Sequence, residues 1–469
     1  MHVARLGLGL TLAVACTAPR DDDGASQVLP SVEVSAAPDG TFTSLLRVTW
    51  NQPVDADVAV QFRVVGDEDW SETPMRSHPS GDAERLVIGA PYGADIELQL
   101  VSDVLDADPI VVRTGDAPDN LRAPVIEIST PSAWSEEDRY ILGSYNSTGS
   151  WQDGVFFAFI MDREGRFIWS RRAPRFDNTT QTEWTIFVRP SRARDAIFVD
   201  ELTGVSGRGD LDNSELHLMT LNGEVQRTIA MPGAHHAWDE MPSGDIAYGE
   251  LRPNDNEYLT LAKTDGSFET LWRCHEDFHE VFGAINGSGA PRYCGSNTLN
   301  YDDASGTFLY SFYSTSVVAE IDAETGENVA HFGQDVPDGW TFEPEDSMFK
   351  WQHGTTFTDA GTLLTSTQKI GDGQKLYARE YEVDRDNKVL REIWSFTAND
   401  QVEQQGALAA GEAHRLDNGN TLHNFGSGKR LREITQDERV VWDAYWEGRA
   451  LLGRTEFISF DDLYAFLGE

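Results

Sequence analysis

The chain has 469 residues, 40% hydrophobic and 25% charged, with 41 glycines. That is room for two or three globular domains with a large core, and it excludes a disordered or low-complexity chain. Asp and Glu number 78 against 37 Lys and Arg, a formal charge of −41, and a surface so acidic repels phosphate backbones, which excludes a nucleic-acid partner.

Arg5 precedes an apolar run from Leu6 to Ala15. At about ten residues the run is too short to span a bilayer and has the length of a secretory-signal core. It ends in the small residues Ala13-Val14-Ala15 before Cys16. This junction resembles a bacterial lipoprotein box, which implies lipidation of Cys16, and Thr17 after it resembles outer-membrane sorting. We expect a signal peptide over 1–15 and a polar, acidic tether over 16–29. The mature protein is then secreted across the inner membrane and held at the outer membrane, facing periplasm or cell surface, by its lipid alone; plain secretion is the alternative. Only Cys274 and Cys294 remain. In an oxidising compartment an isolated pair is expected to form a disulfide.

From Pro30 the pattern becomes short alternating strands: VEVSA, LLRVTW, VAVQFRVV, RLVIGA, ADIELQLVS and IVVRTG. Turns such as Pro38-Asp39-Gly40 separate them, and Trp50 reads as a core residue. The pattern predicts a β-sandwich over 30–115, resembling a fibronectin type III or immunoglobulin-like module.

After a linker over 115–123, a longer period begins. Strand–turn–strand units recur at 157–169, 216–229, 259–272, 318–332, 381–394 and 432–442. Their turn residues Gly165, Gly223, Gly266, Gly326, Asn387 and Glu438 are 43 to 61 residues apart. An all-β repeat of this period predicts a propeller, here six-bladed over 120–466, because one blade cannot bury both its faces alone. The 13 tryptophans mostly end outer strands, where they are expected to pack blade on blade. A second repeat lies upstream of four hairpins: MPSGDIAYGE, DASGTFLYSF, TDAGTLLTST and LDNGNTLHNF. The segments leading into these repeats are expected to be the inner strands beside an axial channel.

Those inner strands carry the chemistry. His236 and His353 each stand eight residues before the turn glycine of the second repeat, Gly244 and Gly361. Equal offsets in two repeats predict that both imidazoles face one channel. His414 and His423 occupy the last repeat, while His2, His78, His217 and His331 match no such pattern.

The blade pattern, the preceding sandwich, Gln352-His353 and the closing stretch GRTEFISFDDLY (453–464) resemble the bacterial aryl-sulfate sulfotransferases. So do TGENVAHFG (325–333) and AHRLDNGNTL (413–422). The resemblance covers roughly 120–466. It implies a transferase, independent of nucleotide sulfate donors, that moves a sulfuryl group from an aryl sulfate to a phenol through a sulfohistidine. Residue by residue it implies His353 as nucleophile, His236 as acid–base and His235 as its neighbour. Asn297, Tyr313, Gln352, Lys369 and His414 would surround the substrate. The chemistry is sound, since a neutral imidazole is a good nucleophile and a second can shuttle the phenol proton. The chain departs from the family at two places. Gly295 stands where the family has a histidine, and Tyr313 where it has an arginine. Lys350, Lys369 and Arg415 are the neighbouring cations that could replace the arginine.

His275-Glu276-Asp277-Phe278-His279 spells a zinc-protease pattern, but the pattern needs a helix and a third ligand. Following a strand and preceding a glycine-rich stretch, it reads as a surface loop. Residues 210–215 lack the glycine and terminal glutamate of a calcium loop. Neither cofactor nor metal is therefore expected. The rival reading is a non-catalytic propeller that binds a ligand or surface partner at the channel mouth.

Overall fold

The computed structural model describes residues 29–135, 138–149, 154–175, 183–205, 208–209, 211–252, 256–274, 276–278, 294–313, 315–333, 339–369, 375–397 and 410–468. The expectations for the leader, Cys16 and the tether lie outside them, as do Asp210, His275 and His279.

The predicted N-terminal strands are all present. Val34–Pro38, Leu46–Gln52 and Gly81–Val87 make one antiparallel sheet. Ala56–Val64, Asp95–Val101 and Ile110–Arg113 make a second, with two short edge strands, Ser71–Glu72 and Arg76–His78, that the sequence pattern did not separate. Alternation sends Val48 and Trp50 of the first sheet and Val60, Phe62 and Leu98 of the second into one shared core. Trp50 is 4% exposed, a core residue as expected.

From Val125 onward the chain winds through a succession of antiparallel meanders. Ala234–Glu240, Ile246–Arg252, Asn256–Ala262 and Phe268–Arg273 form one such sheet. Ser296–Asp302, Thr307–Phe312, Val317–Asp322 and Asn328–Gly333 form the next. Phe349–Phe357, Leu363–Lys369, Leu376–Asp384 and Val389–Thr397 follow, then Glu412–Arg415, Thr421–Asn424, Arg430–Ile434 and Val440–Tyr445. Earlier in the chain, Val188–Pro190 begins a similar meander that ends at Val225–Ala230. The architecture is thus nearly all-β and of the propeller type.

Four of the predicted hairpins are the outer pair of their sheet, while Thr341–Glu343 and Val125–Ser129 lie outside the fifth and sixth. Each hairpin carries a register shift, beside the turn in the first, second, fourth and sixth. The turn residues Gly165, Gly223, Gly266, Gly326 and Glu438 have φ between 63° and 95°. A tight turn followed by a left-handed residue and a bulge explains both the glycines and their recurrence. In the fifth hairpin the left-handed residue is Lys388 rather than Asn387.

The chain ends are interlocked. The late strand Leu451–Ile458 pairs with Tyr140–Asn146, beside Phe156–Asp162 and Phe167–Arg172, while the early strand Val125–Ser129 pairs with Val440–Tyr445. Helix α1, Phe460–Leu467, then turns back onto the N-terminal sheets. A capping box between Ser459 and Asp462 starts it, and Gly468 at φ 76° ends it. Its Leu463, Tyr464 and Phe466 bury against Phe42, Leu45, Leu86 and Ile88. The Tyr464 hydroxyl donates to the Ile88 carbonyl at 3.1 Å.

Cys274 and Cys294 are disulfide-bonded, with Cα atoms 6.4 Å apart. The stretch read as a surface loop is instead helical at 276–278. The cause is Phe278, which is fully buried against Trp272, Phe312 and His331 and ties the backbone to the core.

Candidate active site

Three inner strands lose regular pairing at the same level. Ladder register shifts between Ala234 and Trp238, between Ser296 and Thr298, and on both sides of His353. A bulge breaks the two-residue alternation and re-aims a side chain. Here the affected residues are His235-His236, Asn297 and Gln352-His353. Gly354, at φ 58°, follows the last of them; a Cβ there would lie 2.3 Å from the Cβ of Glu412, so only glycine permits this close approach.

His236 and His353 lie on the strands Ala234–Glu240 and Phe349–Phe357, and a charge on His353 disfavours a charge on His236. His353 is 6% exposed, and its Nδ1 has no hydrogen-bond partner among the described residues. Burial pushes its pKa down to about 4. His236 is pushed down to about 3 by burial, then by His235 and by His353. Both imidazoles are therefore neutral at pH 7.

Behind His236 runs a buried polar chain that sequence reasoning missed. His236 Nδ1 lies 2.9 Å from His235 Nδ1 and 2.6 Å from the His235 carbonyl. His235 Nε2 lies 3.0 Å from Glu257 Oε1 and 3.3 Å from Ser296 Oγ. The Tyr310 hydroxyl donates to Glu257 Oε1 at 2.6 Å. Burial alone would raise the Glu257 pKa; His235, Ser296 and Tyr310 overcome it and hold the carboxyl down to about 2. Gly249 leaves the space for this cluster, since a Cβ there would meet Tyr310 Oη at 2.5 Å and Ser296 Oγ at 2.9 Å. The one signal in the sequence is a single acid, Glu257, in a strand whose other residues are uncharged, NEYLTLA.

The remaining predicted residues separate into three groups. Tyr313 belongs to the site: its ring centroid is 5.0 Å from that of His353 and it stacks on Trp351. Gln352 and Asn297 serve the framework. The Gln352 amide donates to Ser311 Oγ and to the Phe312 and Val317 carbonyls, and the Asn297 amide donates to the Gln352 carbonyl at 2.5 Å. His414 lies elsewhere, 2.9 Å from Glu412. His423 is a fully buried neighbour of Ser366 and Phe425. The Lys369 side chain lies outside the described residues.

Of the three candidate replacement cations, one borders the site and one is committed elsewhere. Lys350 Nζ sits 3.9 Å over the Trp351 ring. Arg415 is bound to Glu380, Thr421 and the Gly419 carbonyl. Around His353 the described residues supply the rings of Tyr313 and Trp351, with Lys350 on the Trp351 ring and the Glu257 carboxylate set back behind His235 and His236.

No family model and no curated protein matches the chain. Among solved structures, a protein of unknown function from Bacteroides caccae has 15% identity and a TM-score of 0.44, covering 68% of this chain and 99% of its own. A streptogramin B lyase has 12% identity and a TM-score of 0.37, covering 71% and 90%. The periplasmic gluconolactonase of Pseudomonas aeruginosa has 11% identity and a TM-score of 0.39, covering 68% and 99%. At these values the likeness assigns no activity to this chain.

Proposed function

We propose that the meanders are the blades of a closed six-bladed propeller preceded by a fibronectin-like sandwich, and that its channel carries a histidine-centred arylsulfotransferase. The interlocked first and last sheets and the shared core of the two N-terminal sheets support the architecture. The observation that carries the function is the pair His236 and His353: both buried and neutral, with His236 backed by Glu257 through His235.

In the first half-reaction a nitrogen of His353 attacks sulfur, and the S–O bond to the aryl oxygen breaks as the N–S bond forms. The proton shed by the sulfated imidazolium passes through His236 to the departing aryl oxygen. In the second half a phenol gives its proton to His236 while its oxygen attacks sulfur, the N–S bond breaks, and His236 returns the proton to the leaving nitrogen of His353. Tyr313 and Trp351 supply the aromatic surface for an aryl group. Incubation with nitrophenyl sulfate and no acceptor should place one sulfuryl group on His353, read by peptide mass spectrometry. His353→Ala should abolish the adduct and turnover. A panel of aryl sulfates that leaves His353 unmodified would overturn the reading.

A second reading, ligand binding without catalysis, is favoured by one observation: Tyr313 supplies no positive donor where a sulfate charge must be held.

The leader and Cys16 support a lipid-anchored protein. Cys16→Ser should then move the protein from the membrane fraction to the soluble one; unchanged partition would rule the anchor out.

A further inference from the structure

A cavity opens further along the strands Ala234–Glu240 and Ser296–Asp302. Asp239 follows His236 by three residues, and Asn300 follows Asn297 by three. At about 3.3 Å per residue, the two levels are about 10 Å apart. The cavity has a volume of about 530 Å³ and is walled by side chains from several sheets, among them Arg189, Asp239, Asn300, His414, Arg454 and Glu456. Its size is that of a small-molecule site.

Two arginines meet here, from strands Val188–Pro190 and Leu451–Ile458. Arg454 is 4% exposed. Its Nε lies 2.9 Å from Glu412 and its Nη2 donates to Asn300, but its Nη1 is buried with no partner. Arg189 pairs with Asp239 through Nη1 alone, and the rest of its fork bonds to no described residue. The acids on either side are engaged in part, with Glu412 Oε2 paired by charge to Arg454 but hydrogen-bonded to no described residue. Asp239 also accepts from the Tyr301 and Glu240 amides, and Glu412 also accepts from the Thr455 amide.

A buried guanidinium N–H without an acceptor is costly, and two guanidiniums facing one space repel each other. Burial, then Arg189, hold the Arg454 pKa below its ordinary value. An oxygen acceptor bearing negative charge would satisfy the free donors and relieve the repulsion at once. Neutral hydroxyls would do only the first. Asp138, Asp417, Glu456 and Asp462 on the same wall, against Arg194 and Arg415, keep the local charge low, so weak affinity on the order of 1 mM is expected.

We propose that this cavity is a binding site for a small oxyanion (a carboxylate, sulfate or phosphate), held between Arg189 and Arg454 and separate from the histidine level. The inference does not depend on the sulfotransferase reading.

The test is calorimetric titration of the full chain with sodium acetate, sulfate and phosphate, against sodium chloride at matched ionic strength. The expected result is saturable binding of at least one oxyanion at one per chain, and the strongest of the three identifies the class. Arg454→Lys keeps the charge beside Glu412 but loses the free Nη1, and should weaken binding at least tenfold. Arg189→Gln, at a partly exposed side chain, should do the same and serves alone if the first variant misfolds. His353→Ala should leave the affinity unchanged. The proposal fails if no oxyanion binds beyond chloride. It also fails if binding survives both arginine variants, or if it is lost in His353→Ala.

Discussion

The histidine level and the arginine level share the strands Ala234–Glu240 and Ser296–Asp302, but the arginines come from two other strands, Val188–Pro190 and Leu451–Ile458, and the electrostatics are opposite. At the first, His236 and His353 are neutral and the one carboxylate, Glu257, stands two imidazoles back. At the second, Arg189 and Arg454 alternate with Asp239, Glu412 and Glu456. The backbone treats them alike: the strand at Arg454 also shifts register, opposite Gly143–Tyr145. One fold thus offers two chemistries three residues apart along shared strands, and the side chains at each level decide which. Neutral imidazoles suit a nucleophile and a proton shuttle; paired arginines suit holding a charge that does not react.

The comparison breaks first at His236. If it is the shuttle, His236→Ala should lower turnover of a phenol acceptor by about 10²–10⁴-fold. A smaller loss, equal for acceptors of high and low acidity, would return the histidine level to a binding role.

Glu257→Gln sharpens it. The amide keeps the shape but not the charge that orients His235, and a loss of at least about tenfold in kcat is expected, with KM little changed. A change in KM alone would make Glu257 a framework residue.

The reach of the sequence differed between these regions for a physical reason. Hairpin turns repeat because each blade-like sheet needs the same left-handed turn residue, so Gly165 through Glu438 were readable as a period. The offset of His236 and His353 from their glycines was readable for the same reason. Glu257 was not, because it reaches His235 across sheet strands 22 residues apart. Nor was the role of Gln352: polar residues beside a catalytic histidine look alike in sequence whether they bind substrate or, as here, tie one strand to the next sheet. The arginine level was hidden because Arg189 and Arg454 are 265 residues apart and share no motif.

The smallest expected effect is on stability. In the unfolded chain both histidines titrate near their ordinary 6.5, whereas folded His353 and His236 titrate at about 4 and about 3. Between these values the unfolded state binds more protons, so their contribution is complete above about pH 6.5 and is lost as pH falls toward 4. Each is worth about 1–3 kcal/mol over that window. Buried Asp200, raised to about 8, and Asp162, raised to about 6, act in the opposite direction over the same range. Depressed carboxyls such as Glu257 lose their contribution only below the ordinary carboxyl pKa. The raw slope of stability against pH therefore mixes signs, and the informative quantity is a difference. Urea unfolding of wild type and of the His236→Gln, His353→Gln double variant, compared at pH 7 and pH 4.5, isolates it. The double variant should lose less stability on acidification than wild type. Equal losses would mean that these imidazoles are open to solvent and charged, and the contrast between the two levels of the channel would not hold.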